Sequence, residues 1–145
     1  MKALFSSNIY RRANDFVVVP FSGGVGEIHF AVEPIERVAA RLDELAQAIE
    51  RSILASDLSL GAVDLRGYKS SIPKSVGWRS NKQFEATVLA VCGIYRKGGD
   101  IEIRSKRRAD SGRGWVPTDR VVNVPPRSPT EVAQAAIALL GDPSA

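Results

Sequence analysis

The chain of 145 residues is 44% hydrophobic and carries 20 Lys and Arg against 16 Asp and Glu, a formal charge of +4, with one cysteine and one histidine. This length fits one domain that buries roughly two thirds of its unfolded surface. The lone Cys92 excludes an internal disulfide and, with His29 the single histidine, a His/Cys metal site. No run of eighteen apolar residues occurs and MKALFSSNIYRR lacks the apolar segment of a secretion signal, so a soluble, cytoplasmic protein is expected.

In chain order, Leu4 to Tyr10 is expected to be a strand, and DFVVVPF (Asp15 to Phe21) reads as a buried β-branched strand. The turn SGGVG leads into EIHFAV (Glu27 to Val32), an alternating strand returning beside it with His29 on the polar face. EPIERVAARLDELAQAIERSIL predicts a helix with Pro34 in its first turn, because Ile35, Val38, Leu42, Leu45, Ile49 and Ile53 recur at steps of three and four. Its opposite face, with Glu36, Asp43, Glu44 and Glu50, is solvated. Ala55 to Val76, interrupted by Ser, Gly and Pro73, reads as an irregular connection with at most one short strand.

Ser80 and Gln83 then fit a capping box that starts a short helix carrying Phe84 inward. TVLAVCGIYRK (Thr87 to Lys97) reads as an apolar strand in which Cys92 is a buried, inert thiol. After the tight turn GGD comes its partner DIEIRSKRR (Asp100 to Arg108), with Ile101 and Ile103 on one face and Glu102, Arg104 and Lys106 on the other. DRVVNVPP (Asp119 to Pro126) is a further strand stopped by prolines. In SPTEVAQAAIALLG, Ser128 is the N-cap, Pro129 the first helical residue, Glu131 the partner in a capping box and Gly141 the stop. Hairpins in place of alternating βα units imply an α+β fold. A single domain spanning residues 1–145 is expected, its antiparallel sheet built from hairpins with two main helices and one short helix packed on one side.

The residue inventory points away from catalysis. A serine nucleophile needs a base within hydrogen-bond reach, and His29 lies in a strand with no motif around it. SGGVGE lacks the lysine and the following helix of a phosphate loop. No enzyme, catalytic residue, cofactor or metal is therefore expected. Charge is more informative, because it is uneven along the chain. Glu27 to Glu50 holds six acids against two bases, and Arg66 to Arg113 holds twelve bases against four acids. Two faces of opposite sign follow, which bears on partners and encounter rates. The segment KRRADSGRGWVP (Lys106 to Pro117) has the chemistry to bind phosphates, with Trp115 stacking on a base. It has equally the chemistry of a solvated basic rim whose Trp115 anchors the loop in the core.

The valine-rich VVVP strand, the glycine hairpin, the acidic helix, the Trp78 and Phe84 pair, the strand ending IYRK, the loop GRGWVP with VVNVPP, and the SPTE helix together resemble the immunity proteins of bacterial contact-dependent growth inhibition (CDI) systems, CdiI-like proteins. The resemblance implies a small cytoplasmic α+β protein that binds and neutralises the C-terminal toxin domain of a cognate CdiA effector. It implies a protein partner, no membrane and no small-molecule substrate, with a small basic nucleic-acid-binding module as the alternative. The resemblance transfers no contact residues, so charge nominates them. For an acidic toxin surface the partner-binding candidates are Arg104, Lys106, Arg107, Arg108 and Arg113, with Tyr95 and Trp115 as apolar anchors. For a basic toxin, the helix face with Glu36, Asp43, Glu44 and Glu50 is the candidate.

Overall fold

The computed structural model describes residues 4–21, 31–58, 81–97, 100–111, 114–124 and 128–141. The β-branched run 17–19 and the alternating segments on either side of it pair into strands β1 (Leu4–Arg11), β2 (Asp15–Pro20), β3 (Glu36–Ala39), β4 (Ala90–Lys97), β5 (Asp100–Arg108) and β6 (Trp115–Val124). They form one sheet in the order β3-β2-β1-β4-β5-β6, and every neighbouring pair is antiparallel. With helices α1 (Leu42–Leu58), α2 (Asn81–Thr87) and α3 (Pro129–Leu140), the fold is α+β.

The period-two pleat sorts the strand residues onto two faces. On one face Ile9, Phe16, Val18, Val38, Cys92, Ile94, Ile101, Ile103 and Val124 lie in a core with Leu45 and Ile49 of α1 and Val132, Ala136 and Leu140 of α3. Each fully buried Ile or Leu there contributes roughly 1.5–3 kcal/mol of transfer free energy. The Ser7 and Ser52 hydroxyls satisfy one another at 2.7 Å where β1 meets α1. The other face holds a smaller cluster of Tyr10, Val17, Val19 and Val91 with Ala31, Ile35, Phe84 and Val88. Phe84 meets the Tyr10 ring edge-on, centroids 5.2 Å apart. Burial pushes the Tyr10 hydroxyl pKa well above its ordinary value.

The helix expected from Pro34 onward starts at Leu42, and residues Glu36–Ala39 of its expected span form strand β3. Ile35 and Val38 lie three residues apart, which suits a helical stripe, but in the structure they belong to clusters on opposite faces of the sheet. An odd step in a strand does this, and a single helical stripe cannot. Pairing to β2 also sets Arg37 opposite Val17, where its Nε donates to Asp15 Oδ2 at 2.6 Å. α1 continues to Leu58, so the connection expected from Ala55 starts later; residues 59–80, with Trp78 and Ser80, lie outside the described residues, as do His29 and most of the Glu27 to Val32 strand. Ala31 does bridge Phe21, antiparallel.

α2 lies against the face opposite α1 and α3, so the helices are not all on one side. Phe84 and Val88 are drawn there by Tyr10 and Val91, whose side chains leave that face apolar. Thr87 ends α2, its hydroxyl donating to the Phe84 carbonyl at 2.7 Å, and β4 therefore begins at Ala90 and not at Thr87. β6 begins at Trp115, four residues before the expected start, because Trp115 and Val116 pair with Arg108 and Arg107 ahead of a register shift. The ends of α3 follow the sequence reading: the Glu131 N–H donates to Ser128 Oγ at 3.2 Å, Pro129 opens the helix, and Gly141 closes it at φ 84°.

Candidate functional site

β5 builds the candidate site. Its pleat turns Ile101 and Ile103 into the main core and Glu102, Arg104, Lys106 and Arg108 toward the opposite face. Residues directly opposite across an antiparallel pair share a face, which adds Tyr95 (opposite Glu102) and Trp115 (opposite Arg108) to the same surface. Five of the seven residues singled out by charge are thus brought together. Arg107 has the other parity and is exposed, and Arg113 lies outside the described residues.

The arginines have internal counter-ions. Arg104 Nε donates to Glu102 Oε1 at 2.7 Å and its Nη1 to the Thr118 carbonyl at 2.7 Å. Arg107 Nη1 donates to Asp110 at 3.2 Å. Arg108 reaches Glu85 of α2 at 3.4 Å and lies 4.6 Å from the Trp115 ring, while Trp115 Nε1 donates to the same Glu85 carboxylate at 3.2 Å. One acid on α2 thereby ties down both the tryptophan and an arginine of the basic segment. The Arg107–Asp110 pair is exposed and contributes only ~0–1 kcal/mol, whereas the part-buried Arg104–Glu102 pair is screened less by solvent.

Lys106 is held differently. Its Nζ donates to Asn8 Oδ1 at 2.8 Å and lies 4.2 Å from the Phe5 ring centroid and 5.8 Å from that of Tyr95. Asn8 in turn donates through Nδ2 to the Tyr10 hydroxyl at 3.1 Å. The lysine reaches across β4 because residue 93 is glycine: a Cβ there would meet Lys106 Cε at 2.7 Å and Tyr95 Cε2 at 2.9 Å. Desolvation pushes the Lys106 pKa down to about 8. Burial raises the Tyr95 pKa as well, and Phe5 stands between the Tyr95 and Phe21 rings, with centroids 5.2 and 4.9 Å away. Cys92, one residue from Gly93 but on the face covered by α1 and α3, is buried with its pKa pushed up to about 12, which keeps it a protonated thiol.

A second concave feature lies on the helical side. A cleft of about 510 Å³ is lined by Glu50, Leu54 and Asp57 of α1, by Arg96 and Ile101 of β4 and β5, and by Pro129 and Val132 of α3. Asp57 and Arg96 form an ion pair, and Leu54 is 58% exposed at the cleft. Asp43, Glu44 and Glu50 mark the acidic side of α1.

Phe5, Asn8, Gly93 and the carboxylates Glu85 and Glu102 were not singled out as site residues from sequence. Two signals for them exist, a polar Asn8 amid a buried strand and a glycine in an otherwise branched apolar one, the second marking close approach of another chain segment.

No protein-family model matches the chain, and no curated protein matches its sequence. In structure it is similar to a protein of unknown function from Neisseria meningitidis, with a TM-score of 0.68 and 13% identity over 95% of this chain and 93% of that one. It is also similar to a chain of the CdiA-CT/CdiI toxin and immunity complex from Yersinia pseudotuberculosis, with a TM-score of 0.60 and 16% identity over 97% of each. At these identities the likeness is one of fold, and the fold is one that occurs in a toxin and immunity complex.

Proposed function

We propose that this chain is the immunity protein of a contact-dependent growth inhibition system, which binds the C-terminal toxin domain of a cognate CdiA effector in the cytoplasm and neutralises it by occlusion. The observation that carries this reading is the fold match to a chain of a toxin and immunity complex, end to end in both chains. The side of β5 turned away from α1 and α3, with Arg104, Lys106, Arg108, Tyr95 and Trp115, is the docking face in this proposal, since two aromatic side chains stand among the cations there. The acidic side of α1 with its cleft is the competing face.

The test is co-expression with the C-terminal fragment of the large secreted protein encoded nearest to this chain. Rescue of growth together with one-to-one co-purification supports the reading. Continued toxicity with no complex, or recovery of nucleic acid alone that leaves with added salt, removes it. With the complex in hand, Arg104→Glu and Arg108→Glu combined should weaken binding by more than ~1 kcal/mol and slow association, while Glu44→Lys with Glu50→Lys should leave both unchanged. The opposite pattern in titration calorimetry transfers the docking face to α1.

A further inference from the structure

Three of the four β5 cations described above have a carboxylate partner at 2.7–3.4 Å, whereas Lys106 has a neutral amide and two ring faces and, among the described residues, no carboxylate. A half-buried ammonium without a counter-ion keeps part of its desolvation cost, and ring quadrupoles and one amide oxygen offset it only partly. An external anion placed on it offsets that cost against its own desolvation, whereas at an arginine already paired it must also displace the resident carboxylate. The surroundings select among anions. Phe5 and Tyr95 flank the amine with apolar surface, and Glu102 and Glu85 on the same face disfavour a polyanion such as a nucleic-acid backbone. Glycine at position 93 leaves the room in which Lys106 lies.

We infer that Lys106 Nζ, in the patch it shares with the Phe5 and Tyr95 rings, receives a single carboxylate, an Asp or Glu side chain of a protein partner, with an adjoining apolar side chain of that partner against the Tyr95 and Phe5 rings. The inference rests on reading the chain as a protein-binding partner and specifies one contact of that interface. The depressed pKa of Lys106 accords with a cation awaiting its counter-ion. The amine gives the carboxylate two further N–H donors beside the one held by Asn8.

The site is testable without the natural partner. N-acetyl-aspartyl-phenylalanine amide is titrated into the isotope-labelled protein at neutral pH, and backbone amides are followed by two-dimensional NMR. Saturable shifts at Gly93, Tyr95 and Lys106 with a Kd on the order of millimolar are expected, weakened roughly tenfold in Lys106→Gln. No saturable shift, or shifts confined to other residues, overturns the inference, and this mapping on the unaltered protein decides even if Lys106→Gln does not fold. A short oligothymidylate run in parallel is expected to leave these resonances in place; if it moves them and the peptide does not, the site is a phosphate site and the inference fails. Peptide binding without toxin co-purification would retain the patch and remove the toxin reading. Co-purification without peptide binding does the reverse.

Discussion

Gly93 controls how close Lys106 lies to the sheet. Gly93→Ala places a methyl group within 2.7 Å of Lys106 Cε and 2.9 Å of Tyr95 Cε2, so the lysine stem and the ring must both move. A loss of about 1–2 kcal/mol in urea unfolding is expected, together with loss of the peptide-induced shifts. Asp15 plays a different part. Burial acts to raise its pKa, yet hydrogen bonds from Arg12 and Arg37 hold the carboxyl below the ordinary 3.8. Its contribution is complete above that pH and is lost as pH falls through the lower, folded value. Asp15→Asn strands a buried Arg12 guanidinium and should cost roughly 3 kcal/mol at neutral pH. Urea midpoints of the two proteins should converge only in acid, below the ordinary value of 3.8; a gap that persists there means the carboxylate charge is not what matters. Such residue-level detail was partly legible. A buried Cys92 follows from an apolar strand, but the counter-ions Glu85 and Glu102 do not follow from a run of cations, because one comes from another helix and the other from a pleat shared with Arg104.

The ends of α3 are set locally and were read correctly, whereas the start of α1, strand β3 and the start of β6 depend on distant pairing and were not. Ser128, Pro129, Glu131 and Gly141 define α3 because capping involves residues within one turn of one another. Ser128→Ala should therefore lower stability by about 1 kcal/mol, measured as a fall in the urea midpoint with unchanged slope; no change would mean that packing of Val132 and Ala136 alone fixes the helix start. β3 shows the converse. Its four residues carry helix-compatible spacing, and only their neighbour β2, with Asp15 waiting for Arg37 and Phe16 for Val38, makes them a strand. Likewise Trp115 and Val116 enter β6 because Arg108 and Arg107 stand opposite, a fact absent from the local pattern.

At the scale of the whole molecule, the two hairpin-rich halves of the sequence announced an antiparallel α+β fold, and the uneven charge announced two unlike surfaces. What charge alone left open was which cations already have a carboxylate beside them, and the geometry gives one to Arg104, Arg107 and Arg108 and an amide and two rings to Lys106. The strand order has a further consequence, for the route to the folded state. β1, β2 and β3 form one meander and β4, β5 and β6 another, and within the sheet the two are joined where β1 lies beside β4, Ile9 opposite Cys92. Closing that seam pays the chain entropy of bringing distant segments together before the central core rewards it. The barrier should therefore lie at the seam. In stopped-flow refolding Ile9→Val should slow the folding arm, whereas Val122→Ala on the outermost strand should mainly steepen loss of the native state by speeding unfolding. If Ile9→Val instead speeds unfolding and leaves the folding arm in place, the seam closes after the barrier and the prediction fails.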